Sequence, residues 1–232
     1  MERKLILIDI SNLVYQTYYG LGYYRESDSI DNMVQDTMVA IQNRIDKLEE
    51  EGEVYLIFDA PDGKDKRLKI YPEYKAGREE KPEAVKRILN ILEKSAYRKT
   101  RKKGLEADDV IAKISNYYKD REILIVSSDR DLEALLRDGV SILQKGRTIT
   151  EKDVREELGT DKNLKDFIQV RKALMGDSSD NIKGVSKIGK VKSLKMLKEV
   201  EGDDLYNGIL NMLNEEQQKE FQLAYELIKF QE

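Results

Sequence analysis

Several acidic residues of this chain lie where they could gather divalent metal ions. Asp9 closes the apolar run 3–10, and Asp59 follows a second apolar run at 53–58. If both runs are neighbouring parallel strands, their carboxyl ends meet at one edge of the sheet and the two carboxylates can face each other. Carboxylates are the hard oxygen ligands that Mg²⁺ prefers, and two such ions can clamp a phosphodiester. Two carboxylates alone do not define a site.

Three further acidic turns add to this pair. The first opens a predicted helix at 104–109, the second lies at a strand-to-helix turn at 127–131, and the third follows an apolar helix at 175–181. Their acids are Glu106, Asp108 and Asp109, then Asp129 and Asp131, then Asp177 and Asp180. Each cluster alone is also explained by helix capping, the helix dipole or a simple turn. Gathered together they would repel one another, so the arrangement favours a site for cations.

The composition narrows the chemistry. The 232 residues include no cysteine and no histidine, which excludes disulfides, thiol nucleophiles and triads that use imidazole as a base, and argues against a zinc centre. Lys and Arg number 41 against 45 Asp and Glu, for a net charge of −4, which argues weakly against a polyanionic partner. Two divalent cations would add four positive charges and cancel that excess. Two segments, 63–81 and 98–103, are strongly basic and are candidate contacts to a polyanion.

The apolar pattern indicates which elements position these acids. A helical period covers 30–48, further helices are predicted at 82–96, 106–118 and 130–137, and strands at 122–127 and 140–143. Alternating strands and helices predict an α/β fold with a mostly parallel central sheet and helices on both faces. Beyond residue 150 strand signals stop, and Thr150 with Asp153 predicts a capped helix that begins an all-helical remainder. We therefore expect an α/β core at 1–150, with a basic arch or clamp at about 60–103, and a helical region at 151–232.

Taken in order, these segments resemble the 5′ nuclease superfamily from about residue 4 to about residue 200. The superfamily includes bacteriophage 5′-3′ exonucleases, flap endonucleases and the N-terminal nuclease domain of bacterial DNA polymerase I. The resemblance is carried by Leu7-Ile8-Asp9, Phe58-Asp59, Pro72-Glu73-Tyr74-Lys75-Ala76-Gly77-Arg78, Glu106-Ala107-Asp108-Asp109, Ser128-Asp129-Arg130-Asp131 and Gly176-Asp177-Ser178-Ser179-Asp180-Asn181-Ile182 with Gly184-Val185. It implies a PIN-like fold followed by a helical DNA clamp.

The resemblance also implies roles for the acidic and basic residues. By it, two Mg²⁺ ions, for which Mn²⁺ would substitute, are held by Asp9, Asp59, Glu106 and Asp108 and by Asp129, Asp131 and Asp177. Asp109 and Asp180 are implied as secondary or water-mediated ligands. Lys75 and Arg78, at the base of a helical arch, are implied to stabilise charge on the scissile phosphate. For both cations the simpler alternative is a solvated basic loop.

Contacts to DNA are implied as well. Tyr15, six residues after Asp9, matches an aromatic on which a base stacks, although Tyr15, Tyr18 and Tyr19 at helical spacing would also suit packing against the sheet. Residues 182–200 resemble a helix-three-turn-helix clamp for duplex phosphates, with a potassium ion in its turn. Its implied contacts are Gly184, Val185, Lys187, Gly189, Lys190 and Lys192. A solvated charged face is the alternative for its lysines.

Four features depart from the superfamily pattern. Lys187 replaces the middle glycine of the clamp turn, so the turn is expected to deform if that glycine served a positive φ. Val191 stands where a lysine is usual, and Gln16 replaces an arginine common in phage members. The stretch from Arg78 to Glu106 is short, which argues against a large closed arch.

These features predict a structure-specific 5′ nuclease that leaves 5′-phosphate and 3′-hydroxyl ends during primer removal or repair. The expected partner is branched, nicked or 5′-flapped DNA, RNA-primed strands included. The alternatives are a DNA-junction binder without activity and a PIN-like ribonuclease. No apolar run reaches the roughly 20 residues that span a bilayer, and the first residues lack a signal peptide's apolar region. We expect a cytoplasmic monomer with no membrane partner.

Overall fold

Six strands form the central sheet of the molecule. The computed structural model describes residues 3–22 and 29–231. The strands are β1 (Lys4–Asp9), β2 (Gly52–Ile57), β3 (Lys99–Thr100), β4 (Ile123–Val126), β5 (Val140–Gln144) and β6 (Arg147–Ile149). Their order is β3-β2-β1-β4-β5-β6, and every neighbouring pair is parallel except the antiparallel hairpin β5–β6. The prediction of a mostly parallel sheet is confirmed.

Helices cover both faces of this sheet. Those of the first part are α1 (Ile10–Gly20), α2 (Ile30–Glu51), α3 (Asp65–Ile70), α4 (Glu83–Lys94) and α5 (Ala107–Tyr117). Ile6 and Ile8 of β1 belong to the apolar cluster that includes residues of α1, α2 and α4. Leu5 and Leu7 belong to the opposite cluster, which includes α5. The central strands are therefore buried on both faces, which explains why they read as continuous apolar runs.

Helices dominate the chain after residue 150. They are α6 (Glu151–Leu158), α7 (Leu164–Met175), α8 (Lys190–Glu199), α9 (Leu205–Met212) and α10 (Glu215–Ile228). The predicted capping pair is present, since the Thr150 amide donates to Asp153 Oδ2 at 2.8 Å. The remainder is not all-helical as expected, because β7 (Gly176–Asp177) and β8 (Ile182–Lys183) form a short antiparallel pair. Phe167 and Phe221 share one apolar cluster with Leu5 and Leu7 of the sheet. The core therefore continues across residue 150, and the division into two domains there stays a prediction.

One local difference from the expected elements concerns the site. The helix expected at 130–137 is a 3₁₀ helix at Arg130–Leu135, which begins where Asp129 accepts a hydrogen bond from the Asp131 amide. Its short length leaves room for the turn into β5. Residues 1, 2 and 232, the outer ends of the predicted domains, and 23–28 lie outside the described residues. Among the helices that are described, none is both long and apolar enough to cross a membrane.

Candidate active site

The strand ends bring three carboxylates to one cavity. Asp9 is the last residue of β1, Asp59 follows β2 by two residues, and Asp129 follows β4 by three. These strands are adjacent, with β1 in the centre. All three acids line a cavity of about 1300 Å³. The cavity lies beyond the carboxyl ends of the strands, where ligands of open α/β sheets bind.

Backbone and hydroxyl donors fix the orientation of two of these carboxylates. Asp9 Oδ1 accepts the Asn12 amide at 3.1 Å and its Oδ2 accepts Ser127 Oγ at 3.2 Å. Asp59 Oδ1 accepts the Ala107 amide at 2.9 Å, at the first residue of α5, and its Oδ2 accepts Ser11 Oγ at 3.0 Å. Each carboxylate oxygen therefore has one donor and keeps a further lone pair for another ligand.

The charges of the cavity act against one another. Burial, together with the charges of Asp59 and Asp129, raises the pKa of Asp9 to about 7. Burial also raises the pKa of Asp131 to about 6, with Asp129 contributing. The pKa of Asp108 is raised well above its ordinary value by burial and by the charge of its neighbour Asp109. A set of oxygen ligands with this much mutual repulsion fits hard divalent cations, whose charge would relieve it.

A lysine lies between Asp131 of the second acidic turn and Asp177 of the third. The Lys172 ammonium, on α7, contacts Asp131 and lies 2.6 Å from Asp177 Oδ2. Burial favours the neutral acid, but hydrogen bonds from Lys172 and Ser179 outweigh it and lower the pKa of Asp177 to about 2. Within the described ranges, no three carboxylates converge on a common point as the side chains lie. The ammonium group of Lys172 supplies part of the positive charge that neutralises Asp131 and Asp177.

The basic loop docks onto the third acidic turn. The Lys75 amide donates to the Asp180 carbonyl at 2.8 Å, and Arg78 Nε donates to the Ser179 carbonyl at 3.2 Å. Lys75 Nζ lies 2.6 Å from Glu106 Oε1 and 3.5 Å from Asp180 Oδ2, while Arg78 pairs with Asp180. Lys75 has φ +55°, the left-handed conformation that few non-glycine residues adopt. Both predicted catalytic cations thus reach the cavity and are paired with its acids.

One expected ligand, Asp109, lies elsewhere. The other eight expected ligands all line the cavity: Asp9, Asp59, Glu106, Asp108, Asp129, Asp131, Asp177 and Asp180. Asp109 is fully buried and forms a two-bond pair with Arg67, from Nη1 at 2.8 Å and Nη2 at 2.9 Å. Its Oδ2 also accepts the Glu106 amide at 3.3 Å, which closes a capping box at the start of α5. The capping geometry turns Asp109 toward the protein interior.

Aromatic side chains line the cavity beside Asp9. Tyr15 and Tyr19 both border it, with ring centroids 6.1 Å apart and an interplanar angle of 18°. Tyr18 instead is buried and its hydroxyl contacts Met33 Sδ at 3.5 Å. The packing role and the cavity position are therefore divided among the tyrosines of α1. A stacking role for Tyr15 stays a prediction.

The predicted clamp turn is built on close glycine contacts. A Cβ on Gly184 would lie 2.3 Å from the Met175 carbonyl carbon, and one on Gly176 would lie 2.3 Å from the Gly184 nitrogen. Gly184 therefore lets the turn pack directly against the residue before Asp177. Lys187 has φ +62°, so the lysine itself adopts the conformation that the missing glycine was expected to supply.

The other clamp residues differ in where they point. Lys190, the first residue of α8, lines the cavity. Val185 is buried, whereas Gly189, Lys187 and Lys192 are exposed. These last four do not line the cavity.

Tertiary packing reveals residues that the sequence did not single out. Lys172 lies between two acids, and Asn12 Oδ1 accepts Gln16 Nε2, the Ser128 amide and Ser128 Oγ at 2.7, 2.9 and 3.1 Å. Arg171 borders the cavity, and its buried Nε has no hydrogen-bond partner among the described residues. In the sequence, Arg171 and Lys172 look like any basic pair on an amphipathic helix. No local pattern marks them.

An acidic cavity at the carboxyl ends of parallel strands, faced by lysine and arginine, fits the class of nucleases that use divalent metal ions. A family model places the chain more narrowly. The model of the 5′-3′ exonuclease N-terminal resolvase-like domain matches residues 4–159. The chain belongs to this family of 5′-3′ exonucleases.

Known proteins agree with this placement. The chain is 31% identical over 218 residues to a 5′-3′ exonuclease of Buchnera aphidicola, covering 90% of this chain and 75% of that protein. It is 34% identical to the thermostable DNA polymerase I of Thermus filiformis, but spans 24% of the polymerase's length. In structure it resembles the D15 flap endonuclease of bacteriophage T5, solved in a pseudo-enzyme–product complex with DNA and metal ions. That comparison has a TM-score of 0.67, 23% identity, and coverage of 97% of this chain and 86% of the other.

Proposed function

We propose that this exonuclease-family member is a structure-specific 5′ nuclease with 5′-3′ exonuclease and flap endonuclease activity. It would act on branched, nicked or 5′-flapped DNA and leave 5′-phosphate and 3′-hydroxyl ends. The observation that carries the proposal is that Asp9, Asp59 and Asp129 line one cavity at the ends of adjacent strands, with the pKa of Asp9 raised to about 7. Such a cluster is unfavourable without cations to neutralise it.

We assign two groups of oxygen ligands to two Mg²⁺ ions. Asp9, Asp59, Glu106 and Asp108 would hold one, and Asp129, Asp131 and Asp177 the other, with Asp180 as a secondary ligand and Mn²⁺ as a substitute. Bound there, the ions would supply a water nucleophile and neutralise charge on the leaving oxygen. Asp109 is assigned to positioning, because Arg67 and backbone amides already bind its oxygens.

The cations and aromatics of the cavity suit a DNA strand. Lys75 and Arg78 lie on the side of Glu106 and Asp180, where their charges would stabilise the scissile phosphate. Tyr15 would stack on a base beside the acids. Arg171 and Lys190 border the cavity on the α7–α8 side and would bind flanking phosphates. The DNA complex of the T5 flap endonuclease supports this choice of partner.

Residues of the clamp would bind the duplex part of the substrate. The turn 184–189 and α8 would hold duplex phosphates, with a potassium ion bound by backbone carbonyls of the turn. The protein would act as a monomer in the cytoplasm, in primer removal or repair, on RNA-primed as well as DNA strands.

The test is a cleavage assay on three 5′-labelled DNA substrates: a nicked duplex, a duplex with a short 5′ flap, and a nicked duplex whose 5′ end is blocked. With Mg²⁺ we expect short products with 5′-phosphates from the nicked and flapped DNA, and no products in EDTA. The remaining 3′ ends should be extendable by a polymerase, because they carry hydroxyls. Cleavage of the blocked end would separate endonuclease from exonuclease action.

Each alternative gives a different result in the same assay. A junction binder would shift the flapped DNA in a gel and leave it intact with Mg²⁺ or Mn²⁺. A ribonuclease would cut an RNA hairpin in preference to all three DNA substrates. Either outcome would overturn the proposed function.

A further inference from the structure

A buried arginine connects the acidic cavity to the C-terminal segment. Arg67, on α3, is 2% exposed. Its Nη1 donates to Glu106 Oε2 at 2.8 Å and to Asp109 Oδ2 at 2.8 Å, and its Nη2 donates to Asp109 Oδ1 at 2.9 Å. One guanidinium therefore holds both acids at the start of α5 in a fixed relation.

The opposite side of this guanidinium is held by the C-terminal strap, which we define as residues 227–231. Arg67 Nε donates to the Leu227 carbonyl at 2.9 Å, and Nη2 donates to the Lys229 carbonyl at 3.3 Å. The Gln231 amide donates to Asp109 Oδ1 at 2.8 Å. All five N–H donors of an arginine are thereby used. The strap lies 160 residues from Arg67 in sequence and closes over the ion pair.

The orientation of Glu106 depends on this arrangement. Its Oε2 accepts Arg67 and Tyr74 Oη, each at 2.8 Å, and its Oε1 faces Lys75 in the cavity at 2.6 Å. The two oxygens thus have separate tasks. Oε2 is anchored to the protein interior, and Oε1 is presented to the cavity.

We propose that the C-terminal strap is a positioning element of the metal site, acting on Glu106 through Arg67 and Asp109. The inference rests on the proposed function, because it takes Glu106 as a metal ligand. Arg67 donates three bonds to the acids and two to the strap, so the direction of its planar guanidinium depends on both sets of partners. Loss of the strap leaves Arg67 free to tilt and moves the carboxylate that it anchors.

The test compares substitutions in the strap and in its arginine by Mn²⁺ binding, measured from the free-ion signal in electron paramagnetic resonance. Gln231→Pro removes the amide that donates to Asp109, and Arg67→Lys keeps the charge but loses the planar fork. We expect each to weaken Mn²⁺ binding by about 10-fold or more, the usual effect of disturbing a group that orients a ligand. The Mg²⁺ concentration for half-maximal DNA cleavage should rise by the same factor.

Two controls separate positioning from stability. Gln231→Ala keeps the backbone amide and loses only side-chain bonds to the Glu226 and Lys229 carbonyls. Phe221→Leu disturbs α10 in the core, and Phe221 is not among the hydrogen-bond partners of Arg67. Both control variants should keep an Mn²⁺ affinity within about 2-fold of the parent. This should hold even if their melting temperatures fall as far as that of Gln231→Pro.

Parent-like Mn²⁺ affinity in Gln231→Pro and Arg67→Lys would overturn this inference while leaving the nuclease assignment intact. A parent protein that binds Mn²⁺ but never cuts DNA would contradict the proposed function alone.

Discussion

Lys172 Nζ lies 2.6 Å from Asp177 Oδ2 and also contacts Asp131. The ammonium is largely buried, with 18% of its side chain exposed. Despite burial, which lowers it, the charge and hydrogen bonds of these acids raise the pKa of Lys172. A lysine side chain therefore supplies part of the counter-charge of these acids.

Lys172→Met should destabilise the protein when metal is absent. The substitution leaves two carboxylates without their counter-charge, and we expect the free energy of unfolding to fall by about 2 kcal/mol in EDTA. Millimolar Mg²⁺ should recover much of the loss. Lys195→Met, whose exposed ammonium lies 3.7 Å from Glu199, is the matched control and should change stability by less than about 0.5 kcal/mol. Urea unfolding with and without Mg²⁺ measures both, and equal losses in the two variants would contradict the assignment.

Asp9→Asn should remove a pH dependence of stability. Burial, with the charges of Asp59 and Asp129, raises the pKa of Asp9 from 3.8 to about 7. The native state thus binds the proton of Asp9 more tightly than the unfolded state does. The contribution of Asp9 to the free energy of unfolding is therefore complete below about pH 4 and is lost as pH rises through 7. One pKa unit corresponds to about 1.4 kcal/mol, which sets an upper bound of about 4 kcal/mol at pH 8. In EDTA, Asp9→Asn should be more stable than the parent at pH 8 and similar at pH 4.

Asp177→Asn should change the stability at pH 8 in the opposite direction from Asp9→Asn. Although burial raises it, Lys172 and Ser179 lower the pKa of Asp177 to about 2. Its contribution is therefore present above the unfolded value of 3.8 and lost as pH falls through 2. At pH 8 in EDTA this variant should be less stable than the parent. Thermal melting across pH 3–8 tests both acids, and a gain in stability from both substitutions would show that repulsion alone governs the cavity.

Gly184→Ala should be poorly tolerated, because its Cβ would lie 2.3 Å from the Met175 carbonyl carbon. Backbone atoms cannot move aside as a flexible side chain can, so we expect a loss of about 1–3 kcal/mol and a displaced Asp177. Gly189→Ala is the control in the same turn, since nothing lies within 4 Å of its added Cβ. Denaturant unfolding of the two variants should differ clearly. Matched stabilities would mean that the two short strands pack less closely than described.

Arg171→Gln should weaken DNA binding uniformly across sequences. Arg171 borders the cavity and its buried Nε has no partner among the described residues, which suits it to a backbone phosphate. Loss of one phosphate contact should lower the slope of log affinity against log salt by about 0.9 on duplex DNA. Lys119→Gln, in the exposed connection before β4, should leave the slope unchanged. Fluorescence anisotropy with Ca²⁺ in place of Mg²⁺ measures both, and parallel slopes for Arg171→Gln and the parent would exclude the contact.

The central acids were predictable because strand periodicity fixes where a strand ends. Asp9 and Asp59 follow long apolar runs, and neighbouring parallel strands necessarily bring such ends together. The assignment of Glu106, Asp108 and the other acids as ligands rests on the resemblance to the 5′ nuclease superfamily, because the start of α5 alone reads as a capping pattern. The same capping pattern concealed the exception, because Asp109 belongs to the capping box itself and turns inward.

The cations were harder to predict, because their roles depend on tertiary contacts. Arg67 is one basic residue in a basic segment until α10 and the strap bury it from 160 residues away. Lys172 becomes a counter-ion only when the short strand pair folds Asp177 back toward α7. Lys187 shows the reverse case. A lysine in the left-handed region is disfavoured locally, and the packing of the turn imposes it nonetheless.

We propose that these carboxylates bind the metal ions with which the protein cuts DNA. The most direct measurement is the single-turnover rate of 5′-phosphorylated product release from a 5′-flapped duplex with saturating Mg²⁺. It compares the parent with the double variant Asp129→Asn, Asp177→Asn. Each substitution removes the charge of an acid that we assign to the same ion, and we expect the rate to fall by at least about 10³-fold while DNA binding is retained. Cleavage by the double variant at the parental rate would contradict the account.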